Sequence, residues 1–321
     1  MNEPIDFVVA WVDGEDPELK AKRESYLTDK KEASRDDVGG ATRYRSIGEI
    51  LYCIASINIF APFARKILIL TDNQDPGVEP LIAEMFPKGY IPMEIVDHKD
   101  IFKGYEAYLP TFNSRALEAM LWRIPGLSEK FILMNDDFFL TAPVTEKDFF
   151  VGEKTICYAD WYSTHVAKLL RWLKPKKQGY KPVGFKDSMI NALDILGGGC
   201  RFLYLAHTPR ALRKSFYEDF FSKNNDVLLR NIRHRFRDAE QYNSQELFYM
   251  TEARAGRCIQ ISPKSCTLYL KPRPKPNYID NKIELFNKSK SAKFCCVNSL
   301  DKASEEDQQK VLSWVKSRLG L

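Results

Sequence analysis

No Cys-x-x-Cys pair occurs in these 321 residues. The seven cysteines (Cys53, Cys157, Cys200, Cys258, Cys266, Cys295 and Cys296) are odd in number, and two are adjacent. A zinc site and a disulfide framework are therefore not expected, and free thiols in a reducing compartment are. No run of roughly 18 apolar residues exists, so no membrane-spanning helix is expected. The first seven residues carry two acids and a proline instead of a basic start and an apolar stretch, unlike a signal peptide. A cytoplasmic location, at most at the inner face of the membrane, is the expectation. Neither charge sign dominates: 48 Lys and Arg against 43 Asp and Glu give +5. That mild bias suits anionic small molecules or an anionic membrane surface; it is too small to argue for nucleic acid, and no nucleic-acid motif is present. Internal repeats and low-complexity blocks are also missing.

What is present is the mixture of a soluble globular chain, 44% hydrophobic and 28% charged. Residues 5–12 form a short apolar run closed by Asp13-Gly14, a buried strand entering a turn. Apolar residues at Ile47, Ile50, Leu51, Ile54 and Ile57 have helical spacing, and Pro62 ends that helix. Strands follow at 66–71, 93–96 and 131–134, with a helix predicted over 114–124. This alternation predicts an α/β fold: a doubly wound, mainly parallel, Rossmann-like sheet. Each strand runs into acid, so Asp13, Asp72, Asp97 and Asp136 are expected along one sheet edge, where such folds bind ligands. Residues 165–174 read as a basic amphipathic helix, residues 209–252 as largely helical, and residues 271–276 as an extended proline-rich connection. Ser304 starts a last helix with Val311, Leu312, Val315 and Leu319 as its apolar stripe. We therefore expect a single domain over 1–321, with an α/β half over 1–160, a largely helical insertion over 161–260 and a closing segment with the C-terminal helix over 261–321.

Several short segments could carry chemistry, and each has an ordinary structural reading beside it. Asn135-Asp136-Asp137 lies between an apolar strand and an aromatic run. Two carboxylates there can hold a divalent cation on a pyrophosphate, or one can act as a base; they can also simply cap a strand. Trp11-Val12-Asp13-Gly14-Glu15-Asp16 can bind ribose hydroxyls or a cation, or be an Asp-Gly turn. Asn113-Ser114-Arg115 opens a helix whose free N–H groups could bind an anion, or which is merely capped. His207 follows an apolar run and can be a general base with an ordinary pKa near ~6.5, or a structural hydrogen-bonder. Arg230, Arg233, Arg235 and Arg237 can hold phosphoryl oxygens or form a solvated basic face.

Taken together, these segments resemble the Stealth family of sugar-phosphate transferases. The likeness runs through four regions in order: IDFVVAWVDGEDPE at 5–18; TRYRSIGEILYCIASI, KILILTDNQ and LPTFNSRALEAMLWRIPGLSEKFILMNDDFFL within 42–140; AHTPRAL at 206 on to RHRFRDAEQYNSQELF; and KFCCVNSLDKASEED at 293–307. Ser299 follows Asn298 where the family has an acid, and Arg115 and Trp122 stand where bacterial relatives often have histidines. The resemblance implies transfer of a sugar 1-phosphate from a UDP-sugar to a glycan hydroxyl, with release of UMP, in capsular or extracellular polysaccharide synthesis. It also implies that the 1–160 half binds the nucleotide sugar and that the 161–260 insertion shapes acceptor choice. It implies Asp136 and Asp137 on a divalent cation, Mg2+ or Mn2+, and on the donor diphosphate. His207 would be the base and Arg237 the stabiliser of the transferring phosphoryl group. Asp6, Trp11, Asp13, Gly14, Asp16, Arg43, Asn113, Arg115, Asn135 and Asn298 would line the substrate pocket. Two other readings stand beside it: a glycosyltransferase that releases UDP, and a non-catalytic glycan-binding module of a capsule assembly complex.

Overall fold

The computed structural model describes residues 3–27, 47–173, 183–289 and 291–321. In chain order its strands are β1 (Ile5–Ala10), β2 (Ala64–Thr71), β3 (Met93–Asp97), β4 (Lys130–Asn135), β5 (Phe138–Leu140) and β6 (Phe150–Val151), then β7 (Lys154–Ser163), β8 (Arg201–Leu205), β9 (Arg210–Arg213), β10 (Cys258–Ile261), β11 (Thr267–Leu270) and β12 (Phe294–Val297). The central sheet has the order β3-β2-β1-β4-β9. Its first four strands are parallel, and β9 is antiparallel to β4. The doubly wound, mainly parallel architecture is as expected.

The sequence of β1 explains its central place. Phe7, Val8 and Val9 are all buried, because a parallel strand is covered on both faces. Side chains alternate between faces. Phe7 and Val9 therefore join Ile67, Ile69, Ile132 and Met134 in one core, which includes the helix Glu49–Phe60. Val8 joins Leu68, Leu70, Phe131 and Leu133 in the other.

Register then aligns the strand ends. Ala10 pairs with Leu70 on one side and Asn135 on the other, and Thr71 pairs with Asp97. The acids that follow β1 to β4 do share one edge.

Two smaller sheets finish the fold. The long strand β7 pairs with β6 and β10 at its start and with β8 at its end. In the third sheet β12 lies between β11 and β5. The final helix, Glu305–Leu319, packs on helix Glu49–Phe60, burying Val311, Val315 and Leu319 as predicted, together with Trp314.

Three local expectations change. The predicted helix over 114–124 is α-helical only over Ser114–Glu118 and closes as a 3-10 turn at Leu121–Arg123. Residues 209–252 hold the helices Lys214–Lys223, Asn225–Ile232 and Ser244–Arg254, but they open with strand β9. Arg-Ala-Leu-Arg has too little pattern to declare itself; its pairing to the edge of β4 is tertiary. The stretch 161–260, expected as a helical insertion, likewise mixes five helices with β8, β9 and β10.

Candidate active site

Strand β4 delivers Asn135, Asp136 and Asp137 to the shared edge, and β5 leaves at once. Asn135 is exposed, and its carbonyl oxygen accepts from the Cys53 thiol at 3.6 Å. Asp137 is pinned from the far end of the chain. Its carbonyl accepts from Val297 N at 3.0 Å. Its Oδ2 accepts from Asn298 Nδ2 at 3.4 Å and from Cys296 Sγ at 3.7 Å. Its Oδ1 is buried with no hydrogen-bond partner.

Burial is the main force that pushes the Asp137 carboxyl up to about 7; the nearby Glu49 adds to the rise, while Asn298 and Cys296 oppose it. Asp136 is raised well above the carboxylate range by burial first, then by Asp137 and Glu49. Glu49, itself raised by burial, sits at the start of its helix and accepts from Ile47 N. Desolvated like charges with an unsatisfied oxygen are costly. They call for either a proton or a cation with hard oxygen ligands, so these residues fit a divalent ion.

His207 reaches the same place from β8. Its ring is stacked between Phe185, 5.8 Å away at 24°, and Tyr269, 4.9 Å away at 27°. Phe138, the residue after the acidic pair, meets it edge-on at 6.4 Å. Burial, with the charges of Arg210 and Lys271, lowers its pKa to about 4. The expected near-neutral histidine is thus corrected: the imidazole is uncharged at pH 7 and can accept a proton.

The 234–241 loop is held in place by Asn113. The Asn113 amide donates to the carbonyls of His234 and Phe236 and to Gln241 Oε1, at 2.8–3.0 Å. Its Oδ1 accepts from Arg115 N. Phe112 and Phe236 stack at 5.2 Å, against Val12 of the loop after β1. This brings Arg237 beside the sheet edge, where it donates to Ser114 Oγ at 2.6 Å.

Similarity to known proteins follows the same layout. Residues 3–31 match the family description "Stealth protein CR1, conserved region 1", and residues 43–158 match "Stealth protein CR2, conserved region 2". The chain thus carries stretches that match conserved regions 1 and 2 of Stealth proteins. One relative is the "Receptor polysaccharide phosphotransferase WefC" of Streptococcus oralis, 28% identical, with 95% of this chain and 93% of the relative aligned. Another is the "Exopolysaccharide phosphotransferase CpsY" of Mycobacterium tuberculosis (strain ATCC 25618 / H37Rv), 42% identical over 46% of this chain and 25% of the relative. Among solved structures, the WbbM bifunctional glycosyltransferase in its apo form superposes with a TM-score of 0.52 at 9% identity. That alignment covers 98% of this chain and 50% of WbbM, and it shows a shared fold.

The first matched region supplies β1 and the helix Pro17–Ser25. The second supplies β2 to β4, Asn113 and the Asp136–Asp137 pair. His207, Arg237 and Asn298 come from beyond both matched regions. Trp11 is buried, its backbone N donating to Leu70 O, and Gly14 is buried in the turn that follows. Asp13 stays half-exposed; its backbone is held both ways by Gln74, and its Oδ1 accepts from Glu15 N.

Four predicted pocket residues have other work. Asp6 lies at the opposite end of β1, fully buried, bound by Arg65 through two donors and by Ser128 N. Asp16 caps the helix Pro17–Ser25 by accepting from Leu19 N. Asn113 is 1% exposed, and its own side chain caps the helix start, the structural one of the two readings the segment offered. Arg115 is 3% exposed and donates to the carbonyls of Val183, Gly184 and Asp238. Arg43 lies outside the described residues. Along the edge, Asp72 is paired with Lys22 at 2.8 Å, and Asp97 caps the short helix His98–Ile101.

Sequence reading missed Glu49, Phe185 and Tyr269. Nothing in the local pattern singles out Glu49, and no pattern ties Phe185 or Tyr269 to His207. Among the described residues, His234, Asp238 and Glu240 also place ligand atoms within 4.8 Å of one another. The Arg233 guanidinium already neutralises that group, contacting both His234 and Glu240.

Proposed function

We propose that this protein transfers a sugar 1-phosphate from a UDP-sugar to a hydroxyl of a glycan acceptor, in capsular or extracellular polysaccharide synthesis. The observation that carries the reading is the edge-on contact of an uncharged His207, from the other half of the chain, with Phe138, the residue that follows the Asp136–Asp137 pair. His207 takes the proton of the acceptor hydroxyl. The acceptor oxygen forms a bond to the phosphorus attached to the sugar, the bond from that phosphorus to the bridging oxygen breaks, and UMP leaves. Arg237 places positive charge on the transferring group. Asp136 and Asp137 hold the divalent cation, Mg2+ or Mn2+, which when bound neutralises the donor diphosphate. Asp13 and Asn135, open at the same edge, line the donor pocket, and Asn298 orients Asp137.

The deciding experiment incubates the protein with UDP-sugars, Mg2+ and acceptor oligosaccharides and identifies the nucleotide product. UMP is expected; UDP would mean cleavage at the sugar carbon and would overturn the reading.

A pH dependence of stability follows from the acidic pair. An acid whose folded pKa exceeds its unfolded value of ~3.9 destabilises the fold as pH rises between the two. Cation-free protein should therefore lose stability from about pH 4 to about pH 7, the window of Asp137. Added Mg2+ should raise the unfolding midpoint more at pH 8 than at pH 5. Equal gains at both pH values, read by differential scanning fluorimetry, would count against cation binding at this pair.

A further inference from the structure

The helix Thr164–Leu173 is folded inside out relative to an ordinary surface helix. Val166, Leu169, Leu170 and Leu173 recur at i, i+3, i+4 and i+7, the spacing that normally faces a core. Here they are 53%, 54%, 54% and 60% exposed. Among the described residues, Thr164, which is buried, and Ala167, which packs on the core, seat the helix on the body of the protein. Trp172 is 69% exposed, and Trp161 and Tyr162 at the helix foot are also open. Of the thirteen large hydrophobic residues exposed among the described residues, seven fall in this one stretch of thirteen positions. Isolated exposed apolar residues need no explanation; a contiguous patch does. The cavity beside it, about 230 Å³ and lined by Trp161, Tyr162, Val166, Ala167, Leu170 and Lys186, is too small to hold a glycan or a nucleotide sugar.

Charge indicates the occupant. Between positions 161 and 186 the sequence has seven Lys and Arg and no Asp or Glu. This stretch alone exceeds the +5 of the whole chain. Lys168 projects into solvent, with an exposed Asp194 carboxylate 3.7 Å away. Lys186 lies over Tyr162 and Tyr204, and Arg201 over Trp161. A stripe of exposed leucines with an exposed tryptophan, the cations of Lys168, Lys186 and Arg201 nearby and interfacial aromatics at the foot are the makeup of a helix lying in a membrane surface. A second copy of the same chain would set cation against cation.

We propose that helix Thr164–Leu173 docks this protein on an anionic phospholipid bilayer, with Leu169, Leu170, Trp172 and Leu173 entering the interface. The docked face connects to the active site through touching rings: Tyr162 to Tyr204 at 4.9 Å, Tyr204 to Phe185 at 6.1 Å, and Phe185 to His207 at 5.8 Å. Docking therefore fixes how far from the bilayer surface an acceptor is presented to His207. The proposal does not depend on the sugar-phosphate reading and would survive its failure.

The test is sedimentation of the full chain with phosphatidylcholine vesicles and with vesicles containing one quarter phosphatidylglycerol. Binding should appear with the anionic vesicles, weaken with salt, and fall about tenfold or more in a Leu169→Asp, Leu170→Asp, Trp172→Ser variant. Because these side chains are exposed, the variant should keep the parent unfolding midpoint. No binding to anionic vesicles, or binding that the triple substitution leaves unchanged, overturns the proposal. A parent dimer in analytical ultracentrifugation that the variant dissociates would assign the surface to a second copy and overturn it as well.

Discussion

Asp137→Asn is expected to abolish measurable transfer while leaving the cation-free protein as stable as the parent, or more stable above pH 7. Two terms work in opposite directions. Asp137 and Asp136 are half-buried, desolvated like charges, and Asp137 Oδ1 lacks a hydrogen-bond partner. Removing one charge with a neutral isostere relieves that repulsion and the desolvation of a carboxylate. The amide can still meet Asn298 and the main chain around it. On the proposed mechanism, function loses one of two carboxylates that would hold the cation, and with it several kcal/mol of transition-state stabilisation, roughly a thousandfold in rate. The Mg2+-dependent gain in unfolding midpoint should vanish together with the activity. A variant that lost activity and stability in parallel would mark Asp137 as structural, and one that kept both the activity and the Mg2+ response would remove it from the site.

His207→Gln should lower kcat by about 10²–10⁴-fold with the acceptor KM little changed, since glutamine fills the space between Phe185 and Tyr269 but cannot take the proton. The parent enzyme supplies the sharper signature. Because the His207 pKa is lowered to about 4, the imidazole is already neutral at pH 5. Its contribution to the rate should be flat from pH 8 to 5 and be lost only as pH falls through about 4. The protonation limb of the acidic pair lies higher, at about 7 for Asp137 in cation-free protein, and it should move down as Mg2+ is raised because the ion competes with protons. The histidine limb should not move. A Mg2+-independent limb near ~6.5 would show an unburied histidine and contradict the stacked geometry. Stability has the same sign: a histidine depressed below its unfolded value binds more protons when unfolded, so the fold weakens as pH drops from ~6.5 toward 4.

How much of this was legible depended on how far apart the contacting residues lie in sequence. Strands β1, β2 and β4 announce themselves because strands buried on both faces must be continuously apolar, and the acids that follow them are then placed by topology alone. The third sheet was not legible: Phe138–Leu140 and Phe294–Val297 are strands of three and four residues, and each makes sense only opposite the other. Asp6 and Asn113 were misplaced for a related reason. A carboxylate or amide type does not disclose whether its partner is substrate or protein, and Arg65 and the 234–241 loop are 59 and more than 120 positions away. The lowered pKa of His207, proposed as a base, was not legible because the rings that bury it come from positions 138, 185 and 269.

The hold of Val297 and Asn298 on Asp137 spans 160 and 161 positions. For a chain emerging from the ribosome this sets an order of events. The central sheet and its acidic edge can be assembled while β12 is still inside the exit tunnel, but Asp137 is not fixed until that strand inserts between β5 and β11. Until then the pair is an unbraced acidic loop. The protein should thus acquire activity in one late step, and truncation ahead of residue 294 should leave an extensive core with no competent site.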